Sequence, residues 1–180
     1  MGKILVHEFI SLDGVIESPS WTMEFGFDPK MGEAIARIMG SCGGLLLGRR
    51  TFEMFAPAWS GRTAEQDPGA PFMNDSPKYV VASSEPAVEW NNSQVLGPYD
   101  AEAIRDLKGR VGDDLYVSGS GRLVRGLLAD GLVDELHLFV YPVALGAGDR
   151  LFSEQGSKTA FTLAASEAFA NGVLHLTYVP

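Results

Sequence analysis

A chain of 180 residues, 46% apolar and with a formal charge of −9, can bury one substantial core but is short for two domains. The acidic balance excludes nucleic acid as the main partner, because a duplex needs a clustered basic face. A lone cysteine, Cys42, excludes an intrachain disulfide; no apolar run reaches membrane-spanning length, and the N-terminus reads as a strand, so a cytoplasmic protein of one domain over 1–180 is expected.

Lys3 to Ile10 is apolar and β-rich, and leads into the turn Ser11-Leu12-Asp13-Gly14 and a loop rich in Ser, Pro and aromatics. Asp28-Pro29 supplies a helix cap and first residue, and Met31, Ala34, Ile35, Ile38 and Met39 recur at helical spacing up to Gly40. Gly43 to Leu47 is then a strand and Thr51 to Phe55 a helical turn. The stretch from Ala56 to Pro77 reads as a long connection of the kind that is functional or mobile. A strand at Lys78 to Ala82 ends in Ser83-Ser84, and a weaker one surrounds Val95. Ala101 to Arg110 is a helix, Leu115 to Val117 a strand, and Ser120 to Ala129 a helix stopped by Asp130-Gly131. Glu135 to Val140 is a strand. Two more, Phe161 to Ala168 and Val173 to Val179, flank the hairpin signal Asn171-Gly172. This order predicts an α/β fold: a mainly parallel sheet with helices on both faces and an antiparallel hairpin at one edge.

Two places carry chemistry. At Leu45 to Glu53 an apolar strand breaks at Gly48, and Arg49-Arg50-Thr51 stand where a helix begins. At Leu115 to Leu123 the pattern returns: strand, then Gly119-Ser120-Gly121-Arg122 and Leu123 opening an apolar helical pattern. Helix starts with backbone N–H groups and guanidinium forks suit phosphate, and two of them suit a ligand with two phosphate groups. A glycine at such a turn also serves ordinary chain geometry. His7, His137 and His175 each fall inside a predicted strand, away from metal-ligand spacing, and read as satisfied structural residues with no metal.

The Ser11-Leu12-Asp13-Gly14 turn, Leu47-Gly48-Arg49-Arg50-Thr51-Phe52-Glu53, the strand ending at Ser83-Ser84 and Gly119-Ser120-Gly121-Arg122 occur in the order found in the dihydrofolate reductase superfamily. With Leu132-Val133-Asp134-Glu135, Pro142 and Gly146-Ala147-Gly148, the chain most resembles the C-terminal reductase domain of the bifunctional riboflavin biosynthesis protein, along its whole length. The resemblance implies a single-domain dihydrofolate reductase-like three-layer sandwich and an NADPH-dependent reductase of a small heterocyclic or ribosyl-pyrimidine substrate, such as 5-amino-6-(5-phosphoribosylamino)uracil. It assigns the cofactor to Gly48, Arg49, Arg50, Thr51, Ser83, Ser84, Gly119, Ser120, Gly121, Arg122 and Leu123.

Hydride transfer asks the protein to position a cofactor, and leaves protonation of the substrate as its own task. The resemblance to dihydrofolate reductases implies an acid on the first helix, before the second strand, which makes Glu33 the nearest candidate, ahead of Glu24 and Asp28, although an exposed glutamate is its ordinary role. Asp13 reads equally as a turn former and as a polar group at the substrate pocket. Trp21 and Trp59, in loops, either cover a bound ring or anchor those loops. Two other readings stay open, a dihydrofolate reductase-type pterin reductase and a non-catalytic nucleotide-binding protein on the same fold. Relatives of this type often form two-fold dimers, and the C-terminal hairpin is the expected homodimer contact.

Overall fold

A computed structural model describes residues 2–152, 156 and 158–180. Its strands are β1 (Ile4–Ser11), β2 (Cys42–Gly48), β3 (Lys78–Val81), β4 (Ser93–Gly97), β5 (Asp114–Ser118), β6 (Glu135–Tyr141), β7 (Thr162–Ala168) and β8 (Leu174–Val179). Among the described residues they form one sheet in the order β4-β3-β2-β5-β1-β6-β8-β7. Strands β4 through β6 in that order are mutually parallel, and β8 and β7 are added antiparallel. The helices are α1 (Pro29–Gly40), α2 (Arg49–Trp59), α3 (Ala70–Asp75), α4 (Ala101–Val111) and α5 (Gly121–Ala129), with a 3-10 helix at Pro19–Phe25.

Alternation along β1 divides the core in two. Ile4, Val6 and Ile10 join Ile104 and Leu107 of α4 and Val124 and Leu127 of α5, while Leu5 joins Met31, Ala34 and Ile38 of α1, Phe52 of α2 and Met73 of α3. Both faces of the central strands are therefore covered. That is why Leu45-Leu46-Leu47 of β2 is a continuous apolar run with every side chain buried.

Local signals fix the helix ends. Asp28 caps α1 by accepting the Lys30 N–H at 2.9 Å, with Pro29 in the first turn. Its second oxygen accepts the Ala170 N–H at 2.8 Å, tying the start of α1 to the β7–β8 connection. In that connection Gly172 takes φ 87°, the left-handed conformation for which the Asn171-Gly172 signal was read.

The stretch after β2 differs from its sequence reading. Helix α2 runs Arg49–Trp59, past Pro57, and the expected long connection contains α3. Pro57 stands near the helix end, where its missing N–H removes only one hydrogen bond, and buried Phe52 and Ala56 anchor the preceding turns. Trp59 consequently ends α2, and Trp21 lies in the 3-10 helix; neither is in an irregular loop.

Lys78, at the start of β3, is fully buried. Its ammonium donates to the carbonyls of Asn74 at 2.9 Å, Ser76 at 3.0 Å and Asn91 at 2.9 Å. It also lies 4.5 Å from the Trp90 ring centroid, so one cation holds together the end of α3 and the approach to β4.

Candidate active site

From β2 the chain turns through α2 towards β3, whereas from β5 it turns through α5 the other way, past β1 to β6. Strands β2 and β5 are neighbours, and α2 and α5 pack on opposite faces. Their carboxyl ends thus form a topological switch point, the crevice where open α/β sheets hold ligands.

The sequence places Gly48 and Ser120 at the two lips of this crevice, and the structure bonds them to each other. The Gly48 N–H donates to Ser120 Oγ at 3.0 Å, and the Ser120 N–H donates to Thr51 Oγ1 at 2.9 Å. Gly119 and Ser120 take φ 60° and 61°. At Gly119 the left-handed backbone favours glycine, while an added Cβ would make ordinary contact with the Thr51 side chain at 3.4 Å. The Ser120 hydroxyl makes no cap to its own helix, because it is used across the crevice. The first amides of α2, at Arg49 to Thr51, and of α5, at Gly121 to Leu123, are the donors that a helix start leaves without intrahelical partners.

Cations surround these amides. Arg49 donates to Ser84 Oγ at 2.8 Å and approaches Glu53 at 3.9 Å, which joins the end of β3 to the start of α2. Arg50, Ser83 and Arg122 are exposed. Gly48, Arg49, Arg50, Thr51, Ser84, Gly119, Ser120, Gly121, Arg122 and Leu123 are thus brought to one end of the sheet, with Ser83 beside Ser84.

The acids named from sequence are exposed or occupied. Glu33 is exposed on α1. Asp13 accepts from Ser11 Oγ at 2.6 Å, from the Leu145 N–H at 3.0 Å and from the Gly146 N–H at 2.7 Å. Those bonds hold its carboxyl well below the usual carboxylate range, the Ser11 hydroxyl contributing most. Asp13 therefore fastens the turn after β1 to the loop after β6. Trp21 packs edge-on against Tyr141, which also meets Phe9 and Phe25; an aromatic wall follows the carboxyl end of β1. Trp59 instead carries the Arg62 guanidinium 4.7 Å from its ring centroid.

Two features escaped the sequence reading. Glu8 interrupts the apolar run of β1 and is 3% exposed. Burial without a paired cation pushes its carboxyl well above the usual range, opposed in part by the Gly119 N–H and by Arg125. The signal was visible as one acid inside an apolar strand. Second, the three histidines converge on neighbouring strands β1, β6 and β8. His7 Nδ1 meets the Tyr116 hydroxyl at 2.5 Å and His137 Nδ1 meets His175 Nε2 at 3.1 Å, while His7 Nε2 is buried without a hydrogen bond and His137 Nε2 lies 3.3 Å from Glu135 Oε2. They are not the separately satisfied residues expected, since strand order cannot be read from periodicity. His137 and His175 border a cavity of about 470 Å³ between α1 and the β6–β8–β7 part of the sheet.

A mainly parallel sheet, helices on both faces, an antiparallel hairpin and a glycine-arginine crevice define the dihydrofolate reductase-like class of α/β proteins. Within it the chain belongs to the RibD C-terminal domain family, whose model matches residues 2–175. It is 24% identical over 180 residues to the uncharacterized protein YyaP of Bacillus subtilis, covering 98% of this chain and 94% of that one. A protein structure from Shewanella sp. PV-4 superposes with TM-score 0.80 at 22% identity, covering 98% of both chains. The riboflavin biosynthesis reductase Rib7 of Saccharomyces cerevisiae superposes with TM-score 0.62 at 15% identity, covering 99% of this chain and 89% of that one. At these identities the structural likeness is one of fold.

Proposed function

We propose that this chain is an NADPH-dependent reductase of a small heterocyclic substrate. One observation carries the reading: two glycine turns at the switch point, hydrogen-bonded to each other, with the amides of two helix starts and Arg49, Arg50 and Arg122 around them. That donor set fits a pyrophosphate, and the Arg49–Ser84 pair at its flank fits a further phosphate on the ribose. When bound, such a cofactor supplies the hydride. The chain's own work is to hold the phosphates and to present the reacting end towards the aromatic wall of Phe9, Trp21 and Tyr141.

The segment between β1 and α1 bears on the substrate. From Phe9 to Pro29 there is no Lys, Arg or His, and there are four acids, Asp13, Glu17, Glu24 and Asp28. Nearby Arg150 approaches Asp13 at 3.9 Å and Arg125 meets Asp149 at 3.1 Å, which leaves Lys30 as the exposed cation at the start of α1. This balance favours an acceptor ring without a phosphate over the phosphoribosylamino-uracil, since phosphate recognition calls for an unpaired cationic fork.

Tryptophan fluorescence on NADPH addition tests the cofactor, and a substrate panel of pterins, dihydrofolate, flavin-like rings and the phosphoribosylamino-uracil tests turnover. Arg49→Ala is expected to weaken NADPH about tenfold to thirtyfold and NADH much less, the scale of one partly exposed charge-assisted contact. Absence of NADPH binding sinks the reading. Binding without turnover of any panel member favours the non-catalytic alternative.

We place self-association at β7, an edge strand whose first five residues are exposed, because an open edge invites pairing. A scattering mass near twice 19.4 kDa is expected; a monomer mass removes the homodimer.

A further inference from the structure

Glu8 has no part in the cofactor contacts described above, yet it lies directly behind them. It belongs to the β1 series Ile4, Val6 and Ile10 that faces α5, and its Oε1 is buried with no hydrogen-bond partner. Strand β1 pairs in parallel with β5 up to His7 opposite Ser118, so the next position, Glu8, stands alongside Gly119, the left-handed residue that opens the second turn. We propose that Glu8 is a positioning residue of that turn, uncharged when an anion occupies the crevice, so that cofactor binding and Glu8 protonation are linked. The proposal rests on the cofactor reading.

Among the described residues no cation forms an ion pair with Glu8. Across from it on α5, Arg125 spends its guanidinium on Asp149 at 3.1 Å and on the Arg150 carbonyl at 2.6 Å. On β5, the same face carries the apolar Leu115 and Val117. On β6 the residue in register is Leu138. An uncharged carboxyl can pack against the turn at Gly119 without placing a charge there. A carboxylate in the same place would set a second negative charge beside a bound phosphate in a medium that screens poorly. The anion and the carboxylate therefore exclude each other, and each unit of pH above the ionisation of Glu8 weakens binding by a factor approaching ten.

The test compares NADPH dissociation constants of wild type and Glu8→Gln from pH 6 to 9.5. Glutamine keeps the acceptor and cannot ionise. Taking the ratio of the two constants cancels the titration of the 2′-phosphate and of Lys78, which burial brings down to about 8. Near pH 6 the ratio is expected within about threefold of one, then to climb towards about tenfold per pH unit. A ratio that stays flat overturns the linkage alone. Wild type that binds no NADPH at any pH overturns the cofactor reading and the linkage with it. Should the variant not fold, infrared spectra of wild type serve instead. An uncharged-carboxyl band at neutral pH, lost on raising the pH and lost at higher pH when NADPH saturates, is expected; its absence, or indifference to NADPH, overturns the proposal.

Discussion

Lys78→Met should destabilise the fold by about 3 kcal/mol, with the urea midpoint lowered and its slope unchanged. Three carbonyls, of Asn74, Ser76 and Asn91, lose their donor at once, and each buried polar group left unpaired costs about 1–3 kcal/mol. The sum is not fully realised, because removing a desolvated ammonium returns part of the cost of burying it. Burial holds that ammonium down to about 8. The Trp90 ring also loses its cation, although its own Nε1 bond to Asn74 at 2.9 Å remains. A loss below about 1 kcal/mol would mean that water reaches those carbonyls and that the lysine is no clamp.

Acid should loosen this protein well before its carboxylates are protonated. Burial lowers His7 to about 3 and His175 to about 4, and also lowers His137. An unfolded histidine titrates near 6.5, so below that pH the unfolded chain binds protons that the native chain refuses. Stability is complete above pH 6.5 and falls as the pH approaches 4 and then 3. For His7, wholly buried beside the other two imidazoles, two pH units are worth about 2.5 kcal/mol at pH 4.5. Half-buried His175 adds a smaller, solvent-screened share. Urea denaturation at pH 7.5 and pH 4.5 measures the difference. His7→Phe is expected to start less stable, with the Tyr116 hydroxyl stranded, yet to lose about 2.5 kcal/mol less between the two pH values. Equal acid sensitivity in both proteins would place the effect on other groups.

Much of the fold was legible because local rules governed it. Asp28-Pro29 caps α1 as read, Asn171-Gly172 turns the hairpin, and the buried run Leu45 to Leu47 is a central parallel strand. The two phosphate-type turns were visible for the same reason, since glycine and arginine at a strand-to-helix boundary are sequence-local. What the sequence withheld depends on which strands become neighbours. Ser120 reaching Gly48 across 72 positions, or His7 standing beside His137 in register, follows from β5 settling between β2 and β1 and from β6 flanking β1. Glu8 shows this most plainly. Glu33 stands out by its position along the chain, whereas the acid whose carboxyl burial pushes up is Glu8, in a strand whose apolar pattern draws attention away from it.

Gly48, Thr51 and Ser120 close the two turns on one another through their own atoms. The crevice is therefore built before any ligand arrives, and little ordering entropy remains to be lost when one docks. A ligand meeting such a cleft finds its shape already fixed, and if that ligand is the proposed dinucleotide, discrimination falls to the exposed Arg50 and Arg122.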